Sequence, residues 1–414
     1  MLRRPLLWRV LLCFIAALMC ETPTCAQERE YDRIIESLNH LTATDIPALR
    51  HVALLGDPQA QFVLGLAFAR GKGVAVDPKQ SFDWLRKAAG SGYAYAENEL
   101  GTMYADGTGT PKDDLKAFEW MRRAAEQGDR DGQYNLGTRY AFGHGTKVNF
   151  EEAAKWFVKA AQQGEPRAAV YLARMSLFGE GVDKDEAAAA KWFRQAAERG
   201  SPEGQYGLAN LYRHGHGVSK DNAEAVRWMT KSAEAGFVEA QTNLGLMLCD
   251  GLGAKKDCKA GIDWLQKAAD KGDAAGQNNL GYYYLNGKCV PENDNIAFSW
   301  FMKAAQQGLP DAEATVAASF LDGMGVEPSD ALAFQWFKKS AEDGNPKGQL
   351  HLALMYAAAR GAPSDSASAF KWLLIAEHAG QGDPQLRAKL EKRLSNEQQQ
   401  KARREADAWF GQHK

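Results

Sequence analysis

The sequence predicts an all-α solenoid of stacked helix pairs, and three observations carry the prediction. Tryptophan falls at Trp84, Trp120, Trp156, Trp192, Trp228, Trp264, Trp300, Trp336 and Trp372, nine positions spaced by 36 residues without insertion or deletion. Glycine keeps the same period from Gly56 to Gly380, and a second series from Gly71 to Gly323 opens a Gly-x-Gly loop in most copies. Within a copy, Ser81, Trp84, Leu85 and Ala88 follow i, i+3, i+4, i+7, the spacing of one helix face. A unit of 36 residues is too small to bury its own apolar face and must stack on its neighbours.

The elements follow in order. Arg3, Arg4 and Arg9 precede an apolar run from Val10 to Met19, and Thr24-Cys25-Ala26 offers a peptidase site before Gln27. Residues 1–26 therefore read as a secretory signal peptide. The apolar run is short of the ~20 residues that cross a bilayer as a helix. No membrane span is expected after its removal, and the protein is expected in the periplasm or outside the cell. With 50 Lys+Arg against 52 Asp+Glu the formal charge is −2, and loss of three Arg and one Glu with the signal makes it −4. That balance argues against nucleic acid as a partner. Composition, 45% hydrophobic and 25% charged, is that of a globular chain and excludes a disordered or multi-span protein.

Residues 27–51 form an N-terminal capping segment, in which Ile46 to Leu55 matches a lone second helix ahead of the first full copy. Nine copies fill 52–375. The first helix of a copy carries apolar residues four apart, as in Ala60, Leu64 and Phe68, and often opens with proline, at Pro58, Pro166, Pro202, Pro310 and Pro346. The Gly71-Lys72-Gly73 type of loop suits backbone with positive φ. Before each second helix stands an N-cap residue: Asp77, Asp113, Asn149, Asp185, Asp221, Asp257, Asn293, Ser329 and Asp365. Residues 376–414 supply C-terminal capping helices, with Gln385 one period after Gln349 and a capping box at Ser395 and Gln398.

Written out, one copy reads Ala125-Glu126-Gln127-Gly128, then Gln133-Tyr134-Asn135-Leu136-Gly137-Thr138-Arg139-Tyr140, then Gly143-His144-Gly145, Asn149 and Ala153-Ala154-Lys155-Trp156. This resembles the Sel1-like repeat family, relatives of the tetratricopeptide repeats, over residues 52–375. Departures are local: Cys289 replaces a second loop glycine, Ala359 a first one, and Ala173, Ala209, Ala317 and Ala353 the helix-packing glycine. The resemblance implies a right-handed α-solenoid that binds partner proteins in bacterial secretion, envelope biology or host contact. It names no single ligand.

Residues that could carry chemistry are few. The tryptophan ladder reads as repeat core rather than an aromatic track, because apolar residues at helical spacing bracket each ring. The Gly-x-Gly loops do not continue into a phosphate-binding motif, and His144, His214 and His216 lack ligand spacing, so neither cofactor nor metal is expected. Ser368-Ala-Phe-Lys371 is the one Ser-x-x-Lys match and has no Lys-Thr-Gly or Ser-Asp-Asn companion. No catalytic residue is therefore assigned. A cell-wall-related or β-lactam-hydrolysing enzyme, as suggested for cysteine-rich members of the family, is the alternative. Of six cysteines, three leave with the signal. Cys249 ends one helix and Cys258 starts its partner across the same turn, which makes that pair the expected disulfide; Cys258 with Cys289 on adjacent loops is the alternative.

The remaining candidate is a protein- or peptide-binding surface on the first helices, the concave face if the tetratricopeptide arrangement holds. One column of positions a period apart contains Asn98, Tyr134, Tyr206 and Asn278; its neighbours contain Asn135, Asn243 and Asn279, and Arg174, Asn210 and Tyr282. An amide both donates to and accepts from a peptide backbone, and a tyrosine adds rigid apolar area with a polar tip. A merely solvated face is the competing reading of the same residues.

Overall fold

Helix ends are set by short-range chemistry, and the caps read from the sequence all act as caps. The computed structural model describes residues 31 and 33–413, so the signal-peptide reading of residues 1–26 lies outside the described residues. Side chains of Asp77, Asp113, Asn149, Asp185, Asp221, Asp257, Asn293, Ser329 and Asp365 each accept from a backbone N–H in the first turn of the helix they open. Each such cap contributes about 1 kcal/mol by satisfying an otherwise unpaired donor. The five prolines open first helices as expected. Ser395 and Gln398 close the reciprocal capping box.

Contacts divide the chain into two units, up to Lys220 and from Asp221. The first contains α1 (residues 33–39), α2 (Ile46–Leu54), α3 (Pro58–Arg70), α4 (Pro78–Gly90), α5 (Ala94–Asp106), α6 (Asp114–Glu126), α7 (Arg130–Phe142), α8 (Phe150–Gln162), α9 (Pro166–Phe178), α10 (Glu186–Glu198) and α11 (Pro202–His214). The second contains α12 (Asn222–Glu234), α13 (Val238–Asp250), α14 (Cys258–Asp270), α15 (Ala274–Leu285), α16 (Asp294–Gln306), α17 (Pro310–Asp322), α18 (Asp330–Glu342), α19 (Pro346–Ala358), α20 (Ser366–His378), α21 (Pro384–Arg393) and α22 (Asn396–Gln412). All elements among the described residues are helices. Within each unit a first helix packs on the second helix before it and on the one after it, which builds two layers of an all-α tandem-repeat solenoid.

Core packing explains the periodic residues. The residue after each tryptophan sits deeper than the tryptophan itself: Phe157, Leu265, Phe301 and Phe337 are all but inaccessible, whereas Trp120, Trp156, Trp192, Trp264 and Trp336 are half-buried and Trp84, Trp228, Trp300 and Trp372 buried. The ladder thus forms the rim of the core, and a cation one turn on covers the outer face of seven of its rings, Trp192 and Trp372 being the exceptions. Lys159 lies 3.7 Å over Trp156 in the first unit, and Lys303 lies 3.7 Å over Trp300 in the second. The glycine of the Leu-Gly pair admits the deeper residue: a Cβ at Gly137 would lie 2.6 Å from Phe157, and one at Gly281 would lie 2.7 Å from Phe301.

A second periodic device is polar. Gln61, Gln133 and Gln205 in the first unit, and Gln241, Gln277 and Gln349 in the second, donate their side-chain amides to the carbonyl eight residues earlier, at 3.0–3.4 Å. That carbonyl ends the preceding second helix and has no partner within it. Glutamate cannot donate when ionised, and where it replaces glutamine a neighbour compensates. Gln127 donates to Glu97 at 2.5 Å, and Lys339 reaches both Glu313 at 2.6 Å and the Ala305 carbonyl at 3.4 Å.

The expected Cys249–Cys258 bridge is not formed. Cys258 pairs with Cys289, with Cα atoms 5.0 Å apart, and Cys249 is a buried free thiol. The cause is a contact between copies. Elsewhere the second loop glycine presses on the backbone that starts the preceding copy's second helix, Gly145 on Asp114 and Gly325 on Asp294. Cys289 takes that loop position and Cys258 that helix position, so their sulfurs meet. Cys249 packs instead against Gly261 and Tyr283, and burial raises its thiol pKa despite the hydrogen bond with Tyr283.

Candidate binding face

Second helices cover one side of each first helix, and the candidate face is the side they leave. In the first unit this face begins occupied. Tyr31 and α1 lie against α3 and α5, with the Tyr31 ring 5.2 Å from Tyr95, while Phe62, Leu66 and Tyr95 join Ile34 and Leu38 in one apolar cluster. Asn98 is buried between copies, and its Oδ1 accepts from Asn135 Nδ2 at 2.8 Å. Past α5 the face opens. Half-buried Tyr134 carries the Arg167 guanidinium 4.2 Å over its ring, and burial pushes its phenol up to about 12. Tyr171 stacks on Phe157 at 4.9 Å, and Phe142 and Phe178, one period apart, are 55% and 69% exposed. Arg174 is exposed and 3.5 Å from Glu203; Tyr206 and Asn210 are half-buried.

Charged groups cluster at the starts of α7 and α9. Burial raises the Asp129 carboxyl to about 7, although it caps α7 by accepting from Gly132 N at 2.6 Å. Asp131 is raised by burial against the pull of Arg130 and Arg167. Glu165 is buried too, yet Arg167 at 2.6 Å outweighs desolvation and holds it below its ordinary value. Burial also raises Glu99, with Arg70 opposing and Asp131 adding.

In the second unit, Asn243 and Asn279 are half-buried and donate back to the carbonyls of Glu239 and Ala275, at 2.9 and 2.8 Å. Their Oδ1 atoms lie on the same turn of successive first helices. Asn278 is rotated inward, with a buried Oδ1 that finds no partner among the described residues. Tyr282 is 38% exposed, its ring 4.9 Å from Phe301 and its hydroxyl 3.0 Å from Thr315 Oγ1.

The predicted columns therefore separate. The Asn98–Asn278 column runs between neighbouring copies, as buried Val170, Thr242 and Ala314 at the same phase confirm. The columns of Asn135, Asn243 and Asn279 and of Arg174, Asn210 and Tyr282 run along the exposed side. Sequence reasoning missed Tyr31, Tyr95, Phe142 and Phe178. Two signals were present: Tyr31, Ile34, Ile35 and Leu38 at i, i+3, i+4, i+7, and Phe142 and Phe178 a period apart.

Elsewhere the reactive candidates are engaged. Ser368 Oγ donates to Asp365 at 2.7 Å, while Lys371 lies 4.9 Å from the Trp372 ring centre. His216 is 3.3 Å from Glu186, and among the described residues no group of three His, Cys, Asp or Glu side chains could hold a metal.

The Sel1 repeat model matches nine consecutive segments, 58–93, 94–129, 130–165, 166–201, 202–237, 238–273, 274–309, 310–345 and 346–380. The chain is a Sel1-repeat protein. Two solved Sel1-repeat structures are similar to it. A protective antigen of uropathogenic Escherichia coli displaying this fold is 30% identical, with 88% of this chain and 86% of that one covered and a TM-score of 0.61. A Sel1 repeat protein from Oxalobacter formigenes is 32% identical, with 75% and 90% covered and a TM-score of 0.60. No curated protein matches the sequence. Sel1-repeat proteins serve as protein-interaction scaffolds, and no helix among the described residues is long and apolar enough to cross a membrane.

Proposed function

We propose that this Sel1-repeat protein is an exported, non-enzymatic scaffold that binds a protein or an extended peptide along the exposed side of its first helices, in the periplasm or outside the cell. One observation carries the reading. The repeat sets side chains a period apart in register on an uncovered face: Asn243 and Asn279, with Tyr282 one turn on, in the second unit, and Phe142 and Phe178, with Asn135 on the same side, in the first. Amides there can hold a backbone, and half-exposed aromatics are the residues that anchor partners. The likeness to a protective antigen of uropathogenic Escherichia coli supports an exported setting. Ser368 and Lys371, each turned to another partner, give the enzymatic alternative no support.

Affinity purification from the native cell envelope should recover a partner. Substituting Asn243→Ala and Asn279→Ala together should weaken its binding about tenfold, 1.4 kcal/mol, while the melting temperature stays nearly unchanged. Unaltered affinity would remove these amides from the site. Turnover of a chromogenic β-lactam that is lost with Ser368→Ala would overturn the non-enzymatic reading.

A further inference from the structure

The helix-binding property of this face is already visible in the chain itself. Tyr31, Ile34, Ile35 and Leu38 share one helical face. Ile34 and Leu38 are 3% and 0% exposed, in the same cluster as Phe62, Leu66 and Tyr95. The Tyr31 ring lies 5.2 Å from that of Tyr95 on α5, so this segment lies on the first-helix face instead of extending the stack. At one position of successive first helices Leu66 is buried, Thr102 and Thr138 are half-buried and Arg174 is exposed, so cover is deepest over α3. It is α2, by its match to the second-helix position, that continues the repeat.

We propose that the face of α3 and α5 is a docking groove for an amphipathic helix of a partner protein, and that Tyr31 and residues 33–38 are a built-in occupant which the partner displaces. The proposal deepens the binding reading above by naming the partner's chemistry: an aromatic residue followed by aliphatic residues at +3, +4 and +7. A helix as short as α1 is marginal in isolation and owes its order to the groove. It joins α2 through exposed residues around Thr42, which is tied locally to Asp45. Gln61 on α3 donates to the Ala53 carbonyl at 3.0 Å, and a Cβ at Gly73 would lie 2.7 Å from the Thr42 carbonyl, so α2 has ties to the stack of its own and α1 can leave with the cap in place.

The test needs no identified partner. A fluorescein-labelled synthetic peptide of residues 29–41 is titrated into the full chain and into its Ile34→Asp/Leu38→Asp variant. The variant should bind at least tenfold more tightly than the unaltered chain, and adding Tyr95→Ala should reverse most of that gain. A folded variant that fails to bind, equal binding by the unaltered chain, or equal binding of a scrambled peptide would overturn the proposal. Should the double variant fail to fold, hydrogen exchange on the unaltered chain decides. Amides of 33–39 should exchange at least tenfold faster than those of α5, and equal protection would make α1 a fixed cap. A dimer that exchanges residues 31–39 between copies would assign the groove to a second copy instead. Failure of the Asn243 and Asn279 test bears on the second unit's face alone and leaves these titrations standing.

Discussion

Phe157 and Trp156 are neighbours in sequence with different burdens. Phe157 is fully buried beneath the glycine at 137, while Trp156 is half-buried and shielded by Lys159. Phe157→Ala should cost about 3–5 kcal/mol through lost burial and a residual cavity, and Trp156→Ala distinctly less. Chemical denaturation of the two variants checks the order; a larger loss at Trp156 would put the ladder back at the centre of the core. Asp129 gives a pH signature. Its folded pKa, about 7, lies above the ordinary 3.8, so the fold binds a proton that the unfolded chain releases. The resulting stabilisation is full below about pH 4 and is lost as pH rises through 7. Asp129→Asn keeps the cap and removes the penalty of ionisation. The variant should match the unaltered protein near pH 4 and exceed it at pH 8 by an amount on the order of 1 kcal/mol or more, read from melts across that range. A variant less stable at pH 8 would contradict the assignment.

At the scale of elements, helix ends were legible because capping is decided within four residues, which is why the sites from Asp77 to Asp365 and the Ser395 box are where their side chains place them. Contacts a copy apart were not. The second loop glycine is plain in the sequence, but its contact with the previous second helix leaves no trace in local pattern, and the cysteine pairing depends on that contact. The same limit applies to the binding columns. One residue turns a helix by about 100°, so Asn278 faces a neighbouring copy while Asn279 faces outward, and only packing fixes that phase. The location of α1 across the first helices was hidden for the same reason, although its amphipathic spacing was plain. For the disulfide, Cys289→Gly restores the residue of the other loops and relieves a positive φ of 66°. Loss of a cross-link spanning 31 residues should nevertheless cost about 3 kcal/mol on balance. Non-reducing peptide mapping should find Cys258 linked to Cys289, with Cys249 alkylated only after unfolding. Unchanged stability of oxidised Cys289→Gly would show that the bridge adds nothing.

Over the whole molecule, stacking converts one 36-residue pattern into rows of equivalent side chains, and the proposed function rests on which row meets the partner. The first-helix rows carry Phe178 and Tyr282, exposed by 69% and 38%. The second-helix layer also exposes Leu115, Ile296 and Leu332 near helix starts, but its further turns present charged side chains such as Lys338, which is exposed and 3.9 Å from Glu342. A charged, solvated layer of this kind keeps a repeat protein soluble, whereas exposed aromatics in register mark a contact surface. Site-specific photocrosslinking in the native envelope separates the two layers most directly, with a benzoylphenylalanine placed in turn at positions 178, 282 and 338. The account predicts a crosslinked partner from positions 178 or 282 and none from 338; crosslinking from 338 with neither of the others would contradict it.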